Sequence, residues 1–395
     1  MNRTVATDLP ESIAIAGAWG YIGRKFLDVA LGRQIRAFVY DPGPLPADVD
    51  ASRLTRLRDE DQFYRQSADL FHLAAHPEQR RAGQEILLRR ARQEPLAILN
   101  EKPMAAPQSP EECRQLVAAA SDSGVLMLYD FPELYDPLTE RILEHLGSYR
   151  DVQITDVSVC RSKDREDAGN PRNYKRMVPI QYQESVHCLA YMLFVLARVR
   201  GSLGGVFDDG VCIRAESEPY SPPNPEAYPR VVDGKCSYRL ALGKVAVEGR
   251  TDFKAGAEFT KRRVVCGRGD GRPFRIEVNY LEGAKQLKIN GEAQPIDPHA
   301  SSYESVLRTL TRWRRQLGRD ALMEGIYPNP AFARVTYQLS GALWRASQDG
   351  STVQLANLDE LLDFDAGFRT TGAAADLRLE EPPAGLPRTE PSSSS

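Results

Sequence analysis

The stretch Ser12-Ile13-Ala14-Ile15-Ala16-Gly17-Ala18-Trp19-Gly20-Tyr21-Ile22-Gly23 joins a run of apolar and small residues to three glycines. Ser12 to Ala16 predicts a buried strand, and Tyr21 to about Leu31 predicts an apolar-periodic helix. The glycines therefore fall on a strand-to-helix turn. They suit that place because the chain must turn sharply while its amides approach a pyrophosphate at the helix N-terminus. The spacing is GxxGxxG rather than GxGxxG, with Ala18 where the shorter pattern has a glycine. Ile35 to Tyr40 predicts the second strand, and Asp41 closes it. That is about 20 residues past the loop, the offset at which a carboxylate meets an adenosine ribose hydroxyl. Gly17, Trp19, Gly20, Tyr21, Ile22, Gly23 and Asp41 are thus candidate dinucleotide contacts, with Trp19 expected beside the pyrophosphate. Asp41 favours NAD over NADP, because it would repel a 2′-phosphate; NADP stays possible. The alternative is a tight strand–helix turn followed by a solvated Asp41.

Outward from this loop, strands and helices alternate. Ala68 to Ala74 predicts a third strand, Pro77 to Arg92 a charged crossover helix, Leu96 to Leu99 a fourth strand, and Val125 to Tyr129 a fifth. Between the last two, Ser109 reads as an N-cap, Pro110 as the first helical residue and Glu112 as the closing member of a capping box. This alternation implies βαβ units and a doubly wound parallel sheet, a Rossmann domain over 1–131. After Phe131 the texture changes to a helix (Leu134–Leu146), a strand (Val152–Val159), a basic loop (Arg161–Arg176) and a long apolar helix (Glu184–Val199). Gly205 to Ile296 reads as successive antiparallel strands, with Asn290-Gly291 as a tight hairpin turn. Helices over Tyr303–Leu317 and Pro330–Gln348 follow. The expected second unit, 132–369, is an α+β domain with an open, mostly antiparallel sheet. Residues 370–395, rich in Pro, Ser and Glu, read as a disordered tail.

The 395 residues include 51 basic and 54 acidic side chains, for a net charge of -3. Balanced charge argues against a nucleic-acid binder, which carries a basic footprint. With 42% hydrophobic and 27% charged residues the chain is neither collagenous nor largely disordered. Cys188–Ala197, the longest apolar helical stretch, falls short of the roughly 20 residues that span a bilayer, so no membrane is expected. No apolar run follows the N-terminal Met1-Asn2-Arg3-Thr4, which points to a cytoplasmic protein. The six cysteines form no CxxC pair, and His72 and His76 do not share a helical face, so no metal is expected.

Asn100-Glu101-Lys102-Pro103 follows the fourth strand, at the sheet edge where open α/β folds bind ligands. Lys102 there could stabilise a developing alkoxide or share in proton transfer, and Pro103 would fix its backbone. Taken alone, the pair could equally be a surface Lys–Glu contact. The run Ala97–Met104, with the helix Ser109–Ala120 and Gly124, resembles the Gfo/Idh/MocA oxidoreductases. The resemblance spans most of 12–350 and is strongest in the first 130 residues. It implies a Rossmann domain binding NAD(P), an open second sheet that serves as a homo-oligomer face (dimer or tetramer), and Lys102 beside nicotinamide and substrate hydroxyl. Glu101 and His76 join the implied cofactor groove. Glucose-6-phosphate dehydrogenases share the EKP, but their signature around the catalytic histidine is missing. Short-chain epimerases need a Tyr-x-x-x-Lys, and the one such spacing, Tyr21 to Lys25, lies inside the glycine-loop helix.

The same resemblance matches His187 to a catalytic histidine, a natural acid/base for a hydroxyl proton. The alternative is a histidine hydrogen-bonded within an apolar helix. Relatives often carry an aspartate four residues before it and another three after; here these are Gln183 and Ala190. Either Glu184 takes over as base, or Lys102 and His187 work without a carboxylate. Pro132-Glu133-Leu134 departs again, where many relatives have an arginine. In relatives the loop before His187 borders the substrate, which makes Arg161, Arg172, Tyr174, Lys175 and Gln183 candidate substrate contacts. Its basic excess hints at a phosphate- or carboxylate-bearing substrate; a solvated charged loop is the alternative. The expected activity is hydride transfer between NAD(P) and a secondary hydroxyl or carbonyl of a small-molecule sugar, cyclitol or related polyol. An imine reductase and a non-catalytic NAD(P)-binding sensor on the same fold are the rival readings.

Overall fold

Short runs build the first sheet, fully buried in its four central and far strands and exposed toward the edge formed by Arg36–Tyr40 and Thr55–Arg56. In the computed structural model, which describes residues 8–163, 165, 178–220, 232–253 and 260–368, these strands are β1 (Ser12–Ala16), β2 (Arg36–Tyr40), β3 (Thr55–Arg56), β4 (Leu70–Leu73), β5 (Ala97–Asn100) and β6 (Leu126–Tyr129). They lie in the order β3-β2-β1-β4-β5-β6, and every pairing is parallel. α1 (Tyr21–Gly32), α2 (Glu60–Tyr64), α3 (Pro77–Ala91) and α4 (Pro110–Ser123) are the intervening helices. Strand order reverses between β1 and β4, so a crevice opens there at the carboxyl ends of the strands. α4 starts at Pro110 as expected, but the capping box is not formed. The Ser109 side chain caps nothing, and the Glu112 carboxylate instead pairs with Arg81 at 2.8 Å.

α5 (Pro137–Gly147) leads into the second sheet: β7 (Val152–Ser162), β8 (Val211–Tyr220), β9 (Val232–Leu242), β10 (Val245–Asp252), β11 (Lys261–Gly269), β12 (Arg272–Asn279), β13 (Gln286–Ile289), β14 (Glu292–Ala293) and β15 (Val353–Leu355). The order is β14-β13-β12-β11-β7-β10-β9-β8-β15, antiparallel except for β7 beside β10. Asn290 and Gly291 have φ of 51 and 86, as the two-residue turn between β13 and β14 requires. One face of this sheet packs on α6 (Val186–Arg200), which is buried on all sides from Val186 to Ala197. The apolar run there is core, and no described helix is long and apolar enough to cross a membrane.

The chain then returns to the first sheet through α7 (Ser302–Glu324), kinked at Gly318, and α8 (Pro330–Asp349), before the short α9 (Leu358–Leu362). Tyr337 of α8 donates to the Ala106 carbonyl at 2.7 Å, and the Pro328 carbonyl accepts from the Tyr129 amide at 2.7 Å. These bonds tie the carboxyl edge of the parallel sheet to the layer beneath the second sheet, and the two walls of the crevice are thereby fixed against each other. The predicted tail, 370–395, lies outside the described residues, as do Arg172, Tyr174 and Lys175.

Candidate active site

The crevice is a cleft of about 850 Å³ that runs from the glycine loop to the start of α6. Gly17, Gly20, Tyr21, Ile22, Asp41 and His76 line one end, and Glu101, Lys102, Gln183, Glu184, His187 and Arg161 the other. Gly17 holds a φ of 75, and a Cβ there would stand 2.9 Å from the Ala74 carbonyl oxygen. Gly17→Ala is therefore expected to cost about 1–3 kcal/mol of stability, read by denaturant unfolding, with an unchanged midpoint as the contrary result.

Two expected contacts are not on the cleft wall. Gly23 faces back into the loop, where a Cβ would meet the Gly17 carbonyl oxygen at 2.1 Å; its role is close helix–strand packing. Trp19 points away as well. Its indole Nε1 donates to the Gly43 carbonyl at 3.3 Å, and its amide donates to Asp41 Oδ2 at 3.0 Å. Asp41 Oδ1 accepts from the Gly43 amide at 2.9 Å, so this carboxylate braces the glycine loop as well as lining the cleft. Each oxygen keeps a second lone pair for a hydroxyl donor.

At the other end Lys102 sits on a turn whose Lys102–Pro103 peptide is cis. Arg80 of the charged helix is buried beneath this turn. Its guanidinium donates to the carbonyls of Pro103, Met104 and Ala75, the last two at 3.2 Å. Lys102 Nζ donates to the Gln183 backbone carbonyl at 2.5 Å, so Gln183 contributes its main chain across the crevice. Behind Lys102, the Glu101 carboxylate lies 3.0 Å from His72 Nε2, with the Asp130 carboxyl within electrostatic reach. Burial lifts Glu101 to about 7 against the pull of Lys102 and Arg80; burial and Glu101 raise Asp130 well above its ordinary value. Burial drops His72 to about 4, which leaves its imidazole neutral.

Gln181–Ser185 forms a π-helical turn at the head of α6, a distortion frequent at functional sites. It brings Glu184 against Arg161, whose Nε donates to Oε2 at 2.6 Å, while Nη1 bonds Glu133. Burial alone would raise Glu184, but Arg161, Lys163 and Lys102 hold it well below the usual carboxylate range. Glu184, the carboxylate expected from the sequence as a base, is thus held in an ion pair with Arg161.

The carboxylate near His187 comes from elsewhere. Glu133, in the short turn Pro132–Leu134 after β6, places Oε2 at 3.5 Å from His187 Nδ1. Neither atom has a hydrogen-bond partner among the described residues. Contacts of this length tighten in many catalytic pairs only once substrate is bound. Burial, with Arg161 and Lys102, holds His187 well below its ordinary value, although Glu133 pulls upward; the imidazole is neutral near pH 7. Burial would raise Glu133, but the Arg161 guanidinium holds it well below the usual carboxylate range. No local sequence pattern marks Glu133, Arg80, Asp130 or Lys261, which also border this end of the cleft or lie behind it. For Glu133 the available signal was its position just past the carboxyl end of the last parallel strand. No described group of side chains has the make-up of a metal site.

The sequence matches no protein-family model and no curated protein. Solved structures do match. A myo-inositol dehydrogenase from Corynebacterium glutamicum superposes with a TM-score of 0.61 at 16% identity, covering 87% of this chain and 98% of its own. A UDP-N-acetylglucosamine 3-dehydrogenase from Acidithiobacillus ferrooxidans gives 0.62 at 13%, covering 85% and 97%. This chain has the fold of those dehydrogenases. The same fold also carries a super-repressor mutant of Gal80p from Saccharomyces cerevisiae, with a TM-score of 0.64 at 14% identity, covering 90% and 99%. The two-sheet architecture expected from the sequence is thus met over nearly the full length of each neighbour. Function has to be argued from the cleft, since one fold hosts both kinds of protein.

Proposed function

We propose that this chain is a nicotinamide-nucleotide-dependent oxidoreductase of the Gfo/Idh/MocA type, acting on a secondary hydroxyl or carbonyl of a sugar, cyclitol or related polyol. The observation that carries this reading is the meeting of Lys102, His187 and Glu133 at one end of a glycine-lined cleft. A dinucleotide fits the other end: Gly17 turns tightly at a φ of 75 where a Cβ would meet the Ala74 carbonyl, α1 starts from Gly20 with no side-chain cap, and Asp41 faces the groove. The bound nicotinamide would supply the hydride acceptor or donor.

The protein's own residues manage the proton and the charge. Neutral His187, with Nδ1–H turned to Glu133, offers Nε2 as base to the substrate hydroxyl, the orientation logic of a histidine–carboxylate pair. Lys102 donates to the same oxygen and stabilises negative charge as it develops. The Gln183 carbonyl holds the ammonium in position. In the reduction direction His187 returns the proton.

Asp41 favours NAD. Calorimetric titration should show NADH binding more tightly than NADPH, and Asp41→Ala should narrow that ratio at least about tenfold by removing repulsion of the 2′-phosphate. Tighter binding of NADPH to the natural protein would overturn the assignment. The Gal80p likeness keeps a non-catalytic binder as the rival. A protein that binds NADH but turns over no polyol across a broad screen would favour it.

A further inference from the structure

Within the oxidoreductase reading, we propose that the substrate carries an anionic group, a carboxylate or a phosphate, and that Lys261 binds it. Lys261 opens β11 and pairs directly with Arg161 of β7. Residues 261, 263 and 265 of β11 share the inner face with 157, 159 and 161 of β7, and on that face Val265, Arg263, Val157, Val159 and Arg161 are all buried. Two cations therefore sit side by side where a sheet ordinarily places apolar residues. Directly opposed like charges are destabilising, and such pairs are kept where something else compensates.

For Arg161 the compensation is visible: Glu184 and Glu133 each hold one of its nitrogens. Lys261 has no hydrogen bond or ion pair from its ammonium to any described residue, although it is half-buried and lines the cleft. The carboxylates within its electrostatic reach, Glu133 and Glu184, are those already committed to Arg161, and Arg263 adds further positive charge. Lys163 and Arg165 line the same wall, with Glu282 the remaining carboxylate on it. A half-buried ammonium facing a cleft without a counter-ion is costly, and an arriving anion removes that cost. The wall across from the glycine loop is thus built to receive negative charge beside the reacting carbon.

The test uses the full-length protein, its Lys261→Met variant and NAD as cofactor. Matched substrate pairs would be compared by kcat/KM: a cyclitol with its monophosphate, and an aldose with its uronate. The natural protein should prefer one charged member, and the pair that responds identifies phosphate or carboxylate. Lys261→Met should erase about ten- to hundredfold of that preference, read as the ratio of kcat/KM for the charged over the neutral member of each pair. Without substrate the variant should melt higher than the natural protein, because the opposed charges are gone; a merely structural lysine would melt lower. Inorganic phosphate or malonate should raise the melting temperature of the natural protein and not of the variant. Neutral-polyol turnover with no Lys261-dependent anion effect overturns this proposal and leaves the oxidoreductase intact. Lys261-dependent anion binding with no turnover of any polyol supports the site and sinks the oxidoreductase reading instead.

Discussion

Lys102→Met is expected to lower kcat by about 10²–10⁴-fold on any polyol the natural protein oxidises, since on the proposed mechanism it removes the donor to the developing alkoxide. The side chain is close in length, and Arg80 continues to pin the turn that carries it through the carbonyls of Pro103 and Met104. What is lost is the ammonium, with its 2.5 Å bond to the Gln183 carbonyl across the crevice. NADH affinity, measured by calorimetry on the same sample, should stay within a few-fold, because the glycine loop and Asp41 lie at the far end of the cleft. Undiminished turnover in this variant would remove Lys102 from the chemistry. Loss of NADH binding together with a collapsed melting temperature would assign it a structural role.

Glu133→Gln should be nearly as damaging, with kcat down by about 10²–10⁴-fold, the scale seen when a histidine loses its orienting carboxylate. The pH profile separates orientation from mere packing. His187 lies well below its ordinary value, so it is already neutral at pH 7. For alcohol oxidation, kcat/KM in the natural protein should therefore show no His187 limb between about pH 6.5 and 8, falling only in stronger acid. Glu133 raises His187, so the neutral amide should move that acid limb to still lower pH while cutting the plateau. An unchanged limb with a reduced plateau would leave Glu133 as packing for Arg161. His187→Asn should cut the plateau as severely and abolish the limb.

The parts of this molecule legible in the sequence are those whose signals are local. Ser12–Ala16, the glycines and the periodic helix after them specify a strand–turn–helix unit within a few residues. The same holds for Lys102, whose placement follows from a buried strand ending at a known edge. Even there, roles within a motif were mixed. Gly17 and Gly20 line the cleft, whereas Gly23 serves packing and Trp19 turns to Gly43. Spacing alone does not say which way a residue on a tight turn faces. Ser109 and Glu112 make the same point, since Arg81 from a neighbouring helix outcompetes the cap for the carboxylate.

The sequence by itself determined a parallel sheet with a dinucleotide-type loop, a lysine at its carboxyl edge and a histidine heading a buried helix. Each is encoded by neighbours along the chain through strand, turn and helix preferences. Only the tertiary structure decided how that lysine and histidine are partnered. It set Glu133 beside His187, gave Glu184 to Arg161, placed Arg80 under the Lys102 turn and put Lys261 opposite Arg161. Those choices depend on strand register and on which layers meet at the crevice, and residues far apart in sequence carry no local trace of them.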